Sequence, residues 1–138
     1  MNIDSVKNGI VIDHIKPGKG MEIYEKLNLK ELECSVAIIT NAKSKKMGKK
    51  DIIKIDKNIE VSMEMVGFID SKATINIVKE DKLIEKYHAK LPSNIVNVAN
   101  CQNPRCITSL EKELDQIFEL TDEENEIYRC KYCEMSIK

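Results

Sequence analysis

The chain has 138 residues, 42% hydrophobic and 33% charged, a composition that supports folding and fits one ordinary domain or two small ones. Its 22 basic and 23 acidic side chains leave a net charge of −1, which argues against coating nucleic acid or an anionic membrane as its main task. The N-terminus lacks the basic and apolar regions of a secretory signal, and no apolar run approaches the about 18 residues a membrane span needs, so a cytoplasmic chain with reduced thiols is expected.

In chain order, "IVIDHI" (10–15) is apolar and β-branched at 10, 11, 12 and 15 and reads as a buried strand. "KPGKG" ends it, and "MEIYEKLNL" (21–29) places Ile23, Tyr24 and Leu27 on one face of a short amphipathic helix. "CSVAIITN" (34–41) is an apolar run of strand length, "AKSKKMGKK" a basic turn containing glycine, and "DIIKID" (51–56) a second strand of an antiparallel hairpin. Alternation turns Lys54 away from its neighbours Ile53 and Ile55.

The segment 58–72 fits a helix through Val61, Met65, Val66, Phe68 and Ile69, and a strand through Val61, Met63 and Met65; topology favours the helix. "ATINIV" (73–78) is a strand on which "KLIEKYHAK" (82–90) can pair back. The order β-α-β-β-α-β with an additional strand predicts an α+β protein whose N-terminal part is a ferredoxin-like sandwich. Pro92 and Ser93 mark a hinge, dividing the chain into 1–92 and 93–138. The second part is close to the size, about 40 residues, below which a core rarely suffices without a staple, and it is expected to be small and mainly β.

That staple is legible. Cys101 and Cys106 form C-x4-C, and Cys130 and Cys133 form C-x2-C after 23 intervening residues. Two such turns can each deliver two sulfurs to one tetrahedral ion. With four thiolates the shell is closed, so one structural Zn2+ per chain is expected, with iron the other ion suited to this ligand set. Cys34, in an apolar stretch, reads as a core residue and not a ligand. Residues 101–138 carry a net charge of −4 and residues 1–100 a net of +3, so an anionic ligand belongs to the N-terminal part, and a protein is a better partner than DNA for the acidic tail. Asp13, His14, Lys54 and Lys86 are the first domain's ligand candidates, although each taken singly fits a solvated surface position. Phosphate-loop, Gly-x-Gly-x-x-Gly, G-x-S-x-G and H-E-x-x-H signatures are all absent. Two competing readings follow. A zinc ribbon binding nucleic acid or a transcription complex conflicts with the acidic "TDEENE" (121–126), and an acyl-phosphate hydrolase would need an arginine that residues 1–100 do not contain.

Taken together, "GIVIDHI", "MGKKDIIKID", "ATINIV", "LP" before the hinge and C-x4-C…CKYCE, in this order, resemble the regulatory chain of aspartate carbamoyltransferase along nearly the whole length. The resemblance implies a non-catalytic chain with an allosteric domain and a zinc domain that contacts a separate catalytic chain. It implies CTP as inhibitor, ATP as activator and UTP as a further candidate effector, in control of pyrimidine biosynthesis. It also implies a homodimer of regulatory chains within a larger assembly, with no nucleic acid or membrane partner. Carried over residue by residue, the nucleotide site comprises Val11, Asp13, His14, Lys54, Asn76 and Lys86, with backbone around Ile3–Val6 reading the base edge. Asp81 departs from the family pattern, which has an aromatic residue near the base.

Overall fold

The structure is a computed structural model, and it describes residues 6–137. The chain divides into two compact units, residues 1–90 and 91–138.

In the first unit, strand β1 (Gly9–Ile15) is followed by helix α1 (Lys19–Lys26), strands β2 (Val36–Ser44) and β3 (Gly48–Ile55), helix α2 (Met63–Ile69), and strands β4 (Thr74–Lys79) and β5 (Lys82–His88). The five strands form one antiparallel sheet in the order β2-β3-β1-β4-β5. The ferredoxin-like arrangement thus stands with β5 added at its edge. Pleating decides the two faces. Ile10 lies opposite Ile55 and Ile77, and Ile12 opposite Ile53 and Ile75. Ile10, Ile12, Ile53, Ile55 and Ile75, with Ile23 of α1 and Val66 and Ile69 of α2, make the buried core, so both helices cover one side of the sheet.

Several element boundaries differ from the sequence reading. Helix α1 starts earlier and stops at Lys26, because Asn28 takes the left-handed conformation (φ 53°) before a short 3-10 turn at Leu29–Glu31. Strand β2 starts at Val36, so Cys34 lies in the bend before it, packed against the core. Most of the basic segment expected as a turn is ladder: Ala42, Lys43 and Ser44 pair with Lys50, Lys49 and Gly48. Only residues 45–47 turn, with the Met47 N–H donating to Ser44 Oγ at 3.1 Å. Solvated lysine side chains hid a β register that extends well past the apolar residues. Helix α2 is shorter than 58–72. Ser62 caps it by accepting the Met65 N–H at 3.1 Å, and Ile59 and Val61 pack on the core from the extended segment before it.

A latch holds the loop before α1. The Asp51 carboxylate is fully buried and accepts backbone N–H groups of Gly18 (2.9 Å), Gly20 (3.1 Å) and Asn41 (3.1 Å). Gly20 is required there, since a Cβ at that position would sit 2.9 Å from Asp51 Oδ2.

In the second unit, strands β6 (Asn94–Val96), β7 (Ile117–Asp122), β8 (Ile127–Cys130) and β9 (Ser136–Ile137) form an antiparallel sheet in chain order, with a single helical turn α3 (Ile107–Leu110) between β6 and β7. Its core is small: Ile95, Phe118 and Tyr128 are fully buried, and the Tyr128 hydroxyl donates to the Pro92 carbonyl. Ile95, Phe118 and Cys130 lie opposite one another across β6, β7 and β8, so the core row ends on a thiol.

Candidate functional site

Two groups of side chains stand out, one in each unit. In the first, the residues between the core isoleucines point to the sheet face that the helices leave bare. Their register makes a continuous row: Ala37 is opposite Lys54, Lys54 opposite Val11, Val11 opposite Asn76, and Asn76 opposite Lys86. Lys54 and Lys86 are therefore three strand spacings apart, about 14 Å at the Cα atoms, with Val11 and Asn76 between them. Asn76 is held by its own amide, whose Nδ2 donates to the Val11 carbonyl at 3.2 Å.

Asp13 and His14 occupy an irregularity of β1, where the register slips between Ile12 and Ile15 and His14 takes a positive φ of 57°. That bulge places two consecutive polar residues where strict alternation would send one into the core. The His14 N–H donates to Asp13 Oδ1 at 2.6 Å, and its ring Nδ1 lies 3.0 Å from Thr74 Oγ1. Asp13 also pairs with Lys50, whose Nζ is 3.0 Å from Oδ1. The row continues into an open concavity of about 580 Å³ along β2 and β3, lined by Ile39, Ala42, Lys43, Ile52 and Lys54 among others. The face thus presents ammonium groups, one carboxylate and an amide around an apolar strip, a set suited to an anionic ligand that also carries hydroxyl and flat polar groups. The expected contact around Ile3–Val6 lies, apart from Val6, outside the described residues. Asp81 sits in the tight turn between β4 and β5, with positive φ at both Glu80 and Asp81.

In the second unit, the Sγ atoms of Cys101, Cys106, Cys130 and Cys133 all lie within 4.8 Å of one another. A tetrahedral ion with bonds of about 2.3 Å to sulfur requires S···S edges of about 3.8 Å. Cys101 to Cys133 is 3.5 Å and Cys106 to Cys130 is 3.7 Å, so the donor set fits such an ion, and both pairs are too far apart for a disulfide.

Local backbone bonds build each turn. Cys106 donates its N–H to the Asn103 carbonyl at 3.0 Å and caps α3, and Ser109 Oγ donates to the same carbonyl at 2.8 Å. In the other turn the Cys130 N–H donates to Met135 O at 3.0 Å and the Glu134 N–H to Cys130 O at 2.9 Å, with Glu134 at a positive φ of 64°. Gln116, next to the start of β7, holds the first turn by accepting the Cys101 N–H at 3.0 Å. Buried Thr108 places its hydroxyl 3.1 Å from Cys106 Sγ.

These surroundings set the metal-free thiols apart. Burial pushes Cys101 up to about 12 and also raises Cys130. The backbone N–H of Met135 draws Cys133 down to about 6, and the Thr108 hydroxyl lowers Cys106.

Comparison with known proteins gives the two units a common family. Residues 1–90 match the family described as "Aspartate carbamoyltransferase regulatory chain, allosteric domain", and residues 93–138 match "Aspartate carbamoyltransferase regulatory chain, metal binding domain". The chain belongs to the aspartate carbamoyltransferase regulatory-chain family. Relatives carrying that name include one from Clostridium botulinum strain Hall, 50% identical over 134 residues, covering 97% of this chain and 92% of the relative. Another, from Clostridium tetani, is 50% identical over 135 residues (97% and 94%), and one from Bifidobacterium longum is 39% identical over 138 residues (100% and 99%).

As a regulatory chain it is not the catalytic one, and it carries an allosteric and a metal-binding domain. Among its described residues no helix is long and apolar enough to cross a membrane. The fold brings Val11, Lys54, Asn76 and Lys86 into one row, puts Asp13 and His14 in the bulge beside it, and brings all four tail thiols together while Cys34 stays apart. Sequence reading passed over Lys50, Thr108 and Gln116. Lys50 read as one of many turn lysines, and only the β2–β3 register puts it on Asp13; Thr108, two residues after Cys106, carried a weak local signal.

Proposed function

We propose that the regulatory chain binds nucleoside triphosphates on the bare face of its first sheet and passes their effect to a catalytic chain held by its metal-binding domain. The observation that carries this reading is the cross-sheet row: one bound molecule lying along it reaches Lys54 at one side and Lys86 at the other. Phosphate oxygens suit the lysines, ribose hydroxyls suit Asp13, and a base edge suits the region of Asn76 and Val11, with His14 adding a ring nitrogen. CTP and ATP are the effectors of this proposal, UTP a third, and the process under control is pyrimidine biosynthesis in the cytoplasm.

Domain roles follow at 1–92 for the allosteric part and 93–138 for the part that contacts the catalytic chain, with regulatory chains pairing as homodimers. Zn2+ is the proposed ion, held by Cys101, Cys106, Cys130 and Cys133; once bound it cross-links the two turns and supplies folding free energy to a domain with few core residues. Elemental analysis of the purified chain is expected to give one zinc per chain, unchanged in Cys34→Ser.

Calorimetric titration tests the nucleotide site. Lys86→Ala is expected to lose about 1.5–3 kcal/mol of CTP and ATP binding, one to two decades in affinity, with folding intact. Wild-type affinity in that variant would remove Lys86 from the site. For the second domain, Cys130→Ala is expected to abolish co-sedimentation with the catalytic chain while leaving nucleotide binding in place. Assembly and nucleotide control surviving together in this variant would refute the connecting role.

A further inference from the structure

The four thiols of the metal site form one cluster, with all sulfurs within 4.8 Å of one another, and two contacts in it run from the first turn to the second. Cys101 and Cys133 are in thiol contact at 3.5 Å, and Cys106 and Cys130 at 3.7 Å, and each of these two contacts joins the first turn to the second. The pairs span 32 and 24 residues of sequence. Bridges within a turn, by contrast, would leave the two turns unconnected. The thiols also differ in access: Cys101, Cys106 and Cys130 are buried, whereas Cys133 is half-buried.

We propose that the site is a reversible redox switch, in which a low-molecular-weight disulfide displaces the metal and converts the thiols into Cys101–Cys133 and Cys106–Cys130 bridges. This rests on the reading of the four cysteines as the metal ligands. Cys133, the least buried of the four residues, attacks the reagent RSSR; the reagent's S–S bond breaks, Cys133–S–S–R forms, and RS− leaves to be protonated. The Cys101 sulfur, a thiolate when it serves as a metal ligand, then attacks the Cys133 sulfur, the protein bridge forms, and the second RS− leaves, taking its proton from solvent. Two protein thiolates are oxidised to one disulfide while one RSSR is reduced to two RS−, which take up two protons from solvent. A second reagent molecule does the same for Cys106 and Cys130, more slowly because both are buried. Each bridge requires its sulfurs to approach by only about 1.5 Å, so the two turns keep their places and the oxidised domain stays folded without its metal. Removing the metal under reducing conditions leaves the turns untied and unfolds it.

The test uses the full chain as purified with its metal, treated with oxidised glutathione. Metal release is followed with a chromophoric indicator, the bridges are mapped by peptide mass spectrometry without reduction, and folding of residues 91–138 is followed by limited proteolysis. Expected are full metal release, a first glutathione adduct on Cys133, the two cross-turn bridges, and resistance to proteolysis that chelator-treated reduced chain lacks. Dithiothreitol with added zinc is expected to restore the starting state, and Cys34→Ser to behave identically. Bridges within the turns, adducts that never close, intermolecular cross-links, or a first adduct on a buried cysteine would overturn the proposal. The metal content measured before oxidation decides the ligand reading separately, since the pairing can still be mapped in a chain that carries no metal.

Discussion

Replacing Asp51 by alanine should cost the first domain more than any surface change. The carboxylate is fully buried and accepts three backbone N–H groups, from Gly18, Gly20 and Asn41. A hydrogen bond to a charged acceptor contributes about 1.5–3 kcal/mol, and a buried donor left without a partner costs about 1–3 kcal/mol. Gly20 is buried, so its N–H bears that cost in full; Gly18 and Asn41 are exposed residues, and water can take over part of theirs. The expected loss is therefore about 3–5 kcal/mol, well below the sum of three full bonds. With a urea dependence of about 2 kcal/mol per molar, the midpoint should fall by about 2 M. Urea unfolding followed by far-ultraviolet circular dichroism measures it, and hydrogen exchange localises the loss to the loop before α1 and to Asn41, where the β2–β3 register shifts between Ile39 and Ala42, apart from the metal-binding domain. Asp51→Asn keeps the shape and one acceptor and should fall between. A loss under about 1 kcal/mol in Asp51→Ala, or exchange unchanged at Gly18, Gly20 and Asn41, would refute the latch.

Gly67→Ala should destabilise by about 2–4 kcal/mol, because its Cβ would lie 1.9 Å from the Lys90 carbonyl oxygen and backbone must move; a thermal melt at wild-type temperature would count against this packing. Zinc uptake by the metal-free chain should release protons, since Cys101, held up at about 12 by burial, must ionise, while Cys133, at about 6, is already a thiolate at neutral pH. Calorimetry in buffers of different ionisation enthalpy should give about two to three protons at pH 7.5 and more below pH 6, with apparent affinity falling as pH falls; release independent of pH contradicts these thiol environments.

What could be read in the sequence was local or periodic. Short β-branched apolar runs disclosed β1 and β3, alternation disclosed β4 and the outward turn of Lys54, and the cysteine spacing disclosed the metal site because each ligand pair is built within one turn. Ladder extent was misjudged where side chains are charged: Lys43, Lys49 and Lys50 belong to a hairpin whose stability comes from backbone pairing, which polar side chains do not advertise. The Asp51 latch was invisible because an aspartate in "KKDII" looks like any strand-start residue, and its three donors come from segments 10 and more than 30 residues away. Lys54 and Lys86 were candidates from the residues themselves, but only family resemblance joined Val11 and Asn76 to them. Nothing in a one-dimensional pattern fixes which residue of β3 faces which of β5 when two strands intervene.

That row interleaves with the core on the same strands: Val11 sits between Ile10 and Ile12, Lys54 between Ile53 and Ile55, and Asn76 between Ile75 and Ile77. A single residue inserted into or deleted from β1, β3 or β4 would therefore exchange the two faces beyond it, sending lysine or asparagine under the helices and isoleucine into solvent. Point substitution on the bare face touches no helix, so ligand preference can drift through single replacements. Strand length has no such freedom, and changes in length in descendants of this chain should collect in its turns and in the segment from 56 to 62.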